Sequence, residues 1–553
     1  MRPPLHDRFI PKSVLALRGY NLATFARDLV AGVTVGLVAL PLAMAFAISS
    51  GVPPQAGLYT AIFAGFLISA LGGSTAQVGG PTGAFVVVVA GIVQEHGVDG
   101  LFMCTMMAGV LLVVLGATGL GNTVKFIPRP VVIGFTNGIA VLIASTQIKD
   151  FFGLRIPDVP SEFLPRMQAL ASSWGTTSPA STLLGASCLA LIFLTMRFVR
   201  RVPGTIVALL LGTVAAVALH LPVETIESKF GGIPQGLPSV HVPTFRLDLI
   251  MPLLSATITV TMLGAIESLL SAVVADRMSG DRHNPNVELV AQGIANIASP
   301  VFGGLPATGA IARTATNIRS GAKTPVAGMV HAFTLLAILL VAAPQAKVIP
   351  LCVLAAILFV VSYNMGEWGE IPEILKQGKA DKTVWLITFG LTVFADLTVA
   401  VEVGMILAAL LYINRVTSTS TVERVDQKYI EEGRKHSLQS VEIPAEVVIY
   451  RIHGPFLFGA SDKLSIIEDE LSDLPRIVVV RLRNMTAIDS TGLHALEHLA
   501  DVLHNSGRHL IVCGMRAQPG RLLARAEFHR HIGEENIVSS LESAMIRARE
   551  LLV

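Results

Sequence analysis

Charge is scarce in this sequence. Asp, Glu, Lys and Arg make up 14% of its 553 residues, against roughly 25% in an average soluble domain. The 41 basic and 39 acidic residues leave a formal charge of +2, too little for a field that would recruit nucleic acid. Cysteine is also sparse. Cys104, Cys188, Cys352 and Cys513 stand far apart with no CxxC pair, which argues against a disulfide scaffold or a zinc site. Walker, HExxH and GxSxG motifs are missing, so no enzyme class, cofactor or metal is expected. The basic, Pro-rich start does not read as a cleavable signal, because the first apolar run begins only near Leu29 and is too long.

What the chain has in excess is apolar length. Hydrophobic residues make up 52% and the mean hydropathy is +0.64. No charged residue occurs from Leu29 to Gln94, and a spanning helix needs about 20 residues, so that stretch holds about three passes. Further charge-free windows cover 100–124, 130–148, 202–223, 324–346 and 348–366, with shorter ones at 249–266 and 383–395. Residues 28–415 therefore read as a polytopic helical bundle, preceded by a cytoplasmic segment 1–27.

Basic residues alternate between the connections. One set holds Lys125, Arg129, Arg197, Arg200, Arg201, Arg277, Arg282, Arg319, Lys323, Lys376, Lys379 and Lys382; the other holds far fewer. The positive-inside rule puts the first set and both termini on the cytoplasmic side of the membrane. After Arg415 the sequence turns polar. Residues 416–440 read as a linker, and 441–553 as a small α/β domain. Its expected strands are Val447–Ile452, Ile477–Leu482 and His509–Cys513.

Two segments share one pattern. Gly79-Gly80-Pro81-Thr82-Gly83-Ala84 and Gly303-Gly304-Leu305-Pro306-Ala307-Thr308-Gly309-Ala310 each run from Gly-Gly through Pro to Thr-Gly-Ala, and each precedes a helical stretch. Matched Gly/Pro-interrupted segments in two halves point to a transporter's binding site. A helix starting inside the bilayer leaves about four N–H groups unpaired, and its dipole places about half a positive charge there. Two such starts are expected to bind an anion through Thr82, Gly83 and Ala84 on one side and Thr308, Gly309 and Ala310 on the other. The offset between the patterns relates Pro41, expected to break the first span, to Glu267.

Glu267 is a carboxylate at membrane depth, where ionisable groups serve function by default. Ser271, one turn on, lies on its face; the pair suits a cation or a proton. Arg313, about a turn after Gly309, adds positive potential for the anion or neutralises Glu267. Asp396 and Glu402 read as interfacial, and His331 as a satisfied packing residue.

Gly303–Gly328 resembles the signature of the sulfate permease (SulP) family, as do Leu40–Ala47, Gly80-Pro81-Thr82 and Leu263–Ser268. Asp489-Ser490-Thr491-Gly492 resembles the loop of a STAS domain. The resemblance implies fourteen segments in a seven-plus-seven inverted repeat (about 28–222 and 249–415), followed by a cytoplasmic α/β STAS domain. Segments 1–4 and 8–11 would form a mobile core, the rest a gate, in a homodimer working by an elevator motion. It also implies that Phe46 lines the substrate site and that Glu267 and Ser271 take the places of sodium ligands in bicarbonate carriers. A third such position is Ile311 here, which favours a proton on Glu267. Gly264–Leu270 resembles C4-dicarboxylate members, so sulfate, bicarbonate and dicarboxylates all remain open. Ser490 matches a phosphorylated serine, although Asp489 or Ser490 could simply cap the following helix.

Overall fold

A computed structural model of the chain describes residues 10–17, 19–121, 128–156, 159–160, 162–198, 203–234, 236, 238–240, 246–395, 397–425 and 443–553. Lys125, Arg200, Arg201, Asp396 and most of the expected linker lie outside them. The chain divides into two compact units, Met1–Ile406 and Leu407–Val553.

A short helix α1 (Lys12–Ala16) is followed by α2 (Leu22–Ser49), α3 (Pro54–Leu71) and α4 (Gly83–Ala117). Then come α5 (Arg129–Phe152), α6 (Phe163–Ser172), α7 (Pro179–Phe198) and α8 (Gly204–Ala218). The second half holds α9 (Ile250–Ser279), α10 (Pro285–Val301), α11 (Ile311–Arg319), α12 (Val326–Ala346) and α13 (Leu351–Met365). It closes with α14 (Lys379–Phe394) and α15 (Leu397–Ser418). Gly97, at φ 70° and ψ −174°, breaks α4 into two arms, a backbone region that a side chain would resist. Among the described residues this gives seven membrane-type segments in each half, with α1 and α6 lying outside that set. Among the described residues, eight helices are long and apolar enough to cross a bilayer.

The halves interleave. Helix α4 packs on α9 and α10, and α2 on α12, while α5 packs on α13 and α14 and α7 on α8 and α13. Buried polar groups bind the halves together. The Thr60 hydroxyl, in a π-helical turn of α3, accepts the Leu305 N–H at 2.6 Å. Asp28 of α2 accepts the N–H groups of Lys323 and Thr324 at 2.7 and 3.1 Å. Contrary to expectation, Pro41 does not break its span: α2 runs through it from Leu22 to Ser49.

The second unit is built on a five-stranded sheet of order β3-β4-β5-β6-β7. These strands are Thr421–Val425, Val447–Phe456, Ile477–Ile488, His509–Cys513 and Ile537–Val538. Strand β3 is antiparallel to β4 and the other neighbours are parallel. Helix α16 (Ser490–Asn505) covers one face through Leu496, Leu499 and Leu503; α17 (Ala517–Arg525) adds Leu523, and α18 (Leu541–Leu552) covers the other face through Leu541, Ala544 and Met545. The expected linker 416–440 is corrected here. Residues 416–418 end α15, and Thr421–Val425 form an edge strand paired with Ile449–His453. Its Val425 is buried in the core, so alternation within a polar stretch was enough to make a strand.

Candidate functional site

The two matching segments meet. Gly79–Gly80 (β1) and Thr308–Gly309 (β2) form an antiparallel ribbon with Gly79 opposite Gly309 and Gly80 opposite Thr308. Each strand leads at once into a helix, and antiparallel pairing sends α4 and α11 off in opposite directions. Their N-termini therefore approach one another. The N-cap residues are Thr82 and Ala310, both in extended conformation, and among the described residues neither helix start receives a side-chain cap. Their first-turn amides are left without intrahelical acceptors, which is the electropositive arrangement that takes an anion.

Each expected residue has a definite place. Gly83 and Ala84 are the first two residues of α4. Phe46 lies beside them, since a Cβ on Gly83 would stand 3.4 Å from its ring. Thr82 Oγ1 donates to Glu267 Oε2 at 2.8 Å, so the carboxylate of α9 sits at the first helix start. Arg313 is buried, and its Nη2 donates to the Pro81 carbonyl. No ion pair joins it to Glu267 among the described residues. Gly80 lets the guanidinium in: a Cβ there would lie 2.6 Å from Arg313 Nη1.

Other expectations need correction. The Thr308 hydroxyl donates to the Gly264 carbonyl at 3.0 Å and also contacts Ser268 Oγ at 2.7 Å. The Gly309 N–H goes to Ser268 Oγ at 3.1 Å, and the Ala310 N–H goes to the Val78 carbonyl at 2.9 Å. These three residues build the second helix start, while the donors it leaves open begin at Ile311 and Ala312. Both of those are exposed. Ser271 does not join Glu267; its hydroxyl meets Thr314 Oγ1 at 3.0 Å. His331 is fully buried, yet neither ring nitrogen has a protein partner among the described residues. Glu402 takes a hydrogen bond from Ser255 of α9 at 3.2 Å.

Ser268, Thr314 and Gln77 escaped the sequence reading. Thr314 Oγ1 accepts the Val78 N–H at 3.1 Å, and Gln77 Nε2 donates to the Ser268 carbonyl at 3.2 Å. The signal for Ser268 was its place next to Glu267. In the second unit, Asp489 caps α16: its carboxylate accepts Gly492 N–H and Phe458 N–H, each at 2.9 Å. Ser490 is the exposed first residue of that helix.

Interleaved helical repeats with two opposed helix starts, followed by a separate α/β unit, define a membrane transporter with an appended α/β domain. Residues 25–388 match the sulfate permease family and residues 439–544 the STAS domain. The chain is 40% identical over 521 residues to "Putative sulfate transporter YvdB" of Bacillus subtilis (strain 168), covering 94% of this chain and 97% of that one. It is 31% identical over 532 residues to Bicarbonate transporter BicA of Synechocystis, covering 94% and 93%. The solved transmembrane domain of a cyanobacterial BicA superposes with a TM-score of 0.61 at 34% identity, covering 70% of this chain and 98% of that one. The murine Solute Carrier 26 family member A9 anion transporter, inward-facing, shares the fold at a TM-score of 0.86 and 17% identity, covering 100% and 96%. The chain belongs to the sulfate permease family. It is an anion transporter with a STAS domain, and not an enzyme.

Proposed function

We propose that this protein is a secondary active transporter that carries a small oxyanion together with a proton. The Thr82–Glu267 hydrogen bond supports this reading most directly. When ionised, Glu267 is itself the anion at the first helix start: it occupies the Thr82 hydroxyl and opposes the field of both helix ends and of Arg313. A second anion is then repelled. A proton on Glu267 removes that charge and leaves the helix ends and Arg313 for the substrate, so anion and proton bind together. Engagement of Ser271 with Thr314 favours a proton over sodium, because the hydroxyl expected to complete a cation site is turned to another partner.

Backbone donors and helix dipoles suit any small oxyanion, so sulfate, bicarbonate and C4-dicarboxylates are the candidate substrates. In this reading α2–α4 with α9–α12 carry the site past a gate of α5, α7, α8 and α13–α15 in an elevator motion. Two copies assemble in the inner membrane with the termini and STAS domain cytoplasmic.

The test is uptake into proteoliposomes across an imposed pH step, with sulfate, bicarbonate, succinate, fumarate and aspartate in competition. An acid exterior should drive accumulation of one of them. Glu267→Gln should abolish accumulation while sparing exchange of anion for anion. Concentrative uptake that survives in Glu267→Gln would refute the coupling.

A further inference from the structure

Behind the ribbon, several polar atoms are buried with nothing in the protein to meet them. Among the described residues, Arg313 Nη1, both ring nitrogens of His331, Gln77 Oε1 and Asn317 Oδ1 have no hydrogen-bond partner. Exposure is 3% for Arg313 and Gln77 and 0% for His331 and Asn317. All four gather round one stretch of backbone, residues 76–81. Asn317 Nδ2 donates to the Ala76 carbonyl at 2.9 Å, and Arg313 Nη2 to that of Pro81. Arg313 Nη1 lies against Gly80. His331 approaches the same stretch from α12. A Cβ built on Gly65 would be 2.9 Å from the Gly79 carbonyl oxygen and 3.9 Å from His331 Cε1.

An unmet buried donor or acceptor costs about 1–3 kcal/mol, so such groups are normally matched by protein or by ordered water. Here the inventory decides which. Neutral imidazole offers one donor and one acceptor, each amide oxygen only accepts, and the guanidinium only donates. A cation would be repelled by Arg313, and an anion would meet the surplus acceptors. Water gives two hydrogens and takes two, and it suits a small polar site with several partners.

We propose that an ordered water binds behind the ribbon and bridges Arg313 Nη1 to the imidazole of His331, so that His331 positions the guanidinium beside Gly80 and Pro81, at the first helix start. His331 touches no substrate in this arrangement. Its effect on the anion passes through Arg313, and the inference rests on the reading of Arg313 as part of the anion site.

Three variants in proteoliposomes test it, with KM and maximal rate measured separately. His331→Leu removes both ring nitrogens and should raise KM about fivefold or more while leaving the maximal rate near wild type. His331→Gln keeps a hydrogen-bonding group for the water and should recover most of the affinity. Arg313→Ala should raise KM at least as far. A wild-type KM in His331→Leu beside a raised KM in Arg313→Ala overturns the bridge alone; a wild-type KM in Arg313→Ala overturns the reading of the site itself. Should His331→Leu fail to fold, a cryo-electron microscopy map that resolves water decides. Density between Arg313 Nη1 and His331 supports the bridge, and a direct contact or no density overturns it.

Discussion

Replacing Ser268 by alanine removes one oxygen from the back of the second helix start. That oxygen sits in a relay. Gly309 N–H donates to Ser268 Oγ at 3.1 Å, Ser268 Oγ meets Thr308 Oγ1 at 2.7 Å, and Thr308 donates to the Gly264 carbonyl at 3.0 Å. Every group in the relay is buried. Ser268→Ala leaves the Gly309 N–H without an acceptor and Thr308 without a donor, at a cost of about 1–3 kcal/mol for each buried orphan. The ribbon recovers part of this only by shifting Gly309, and that shift re-aims the first turn of α11. Converted at tenfold per 1.4 kcal/mol, anion affinity should fall about 5- to 100-fold. The assay is initial-rate uptake in proteoliposomes over a range of anion concentrations, with the thermal midpoint of the detergent-solubilised protein as a check on folding. A folded Ser268→Ala protein with wild-type KM would show that the ribbon does not hold the anion donors.

Two further predictions concern groups outside the spans. Burial tends to raise the Asp281 carboxyl, but the hydrogen bond from Lys12 at 2.7 Å, the Arg282 N–H and the Lys12 charge hold it below the usual carboxylate range. The ion pair that docks α1 is therefore intact above the ordinary Asp value of about 3.9 and lost as pH falls through the depressed one. The protection of the Lys12–Ala16 amides, measured as the exchange rate relative to the intrinsic rate at each pH, should fall on acidification, and Lys12→Ala should show that reduced protection already at neutral pH. In the second unit, Asp489→Ala removes the cap of α16 and should destabilise the unit by about 0.5–2 kcal/mol, measured by thermal unfolding of the full chain; an unchanged midpoint would refute the capping role.

The membrane architecture was legible because hydrocarbon permits few backbone solutions. The two Gly-Gly-Pro-Thr-Gly-Ala patterns also sufficed to bring Thr82, Gly83, Thr308 and Gly309 together, with Glu267 and Arg313 beside them. The sequence did not reveal which amides remain open. Gly309 and Ala310 look like donors until the ribbon forms, and then Ser268 and Val78 occupy them, moving the free positions to Ile311 and Ala312. Ser271 shows the same effect: helical periodicity places it under Glu267, while its hydroxyl meets Thr314 on another helix. Nothing in the local pattern singles out Asp28 or Glu288. Each is fully buried, and Glu288 accepts the Gly73 N–H at 2.9 Å from the other half. Such pairings depend on which helices become neighbours, and local pattern carries no record of that. Strand β3 was missed because its charged residues resemble those of a linker.

The ribbon also dictates an order of assembly. Pro81 and its partner Arg313 are 232 residues apart, and a ribosome adding 5–20 residues per second needs about 10–50 s to cover that distance. Through that interval the edge at Gly79–Gly80 has no strand to pair with. The nascent first half must therefore wait in the bilayer or at the insertion machinery as an unfinished receptor for the second half, and the place where the solute will rest exists only after that late arrival has threaded in.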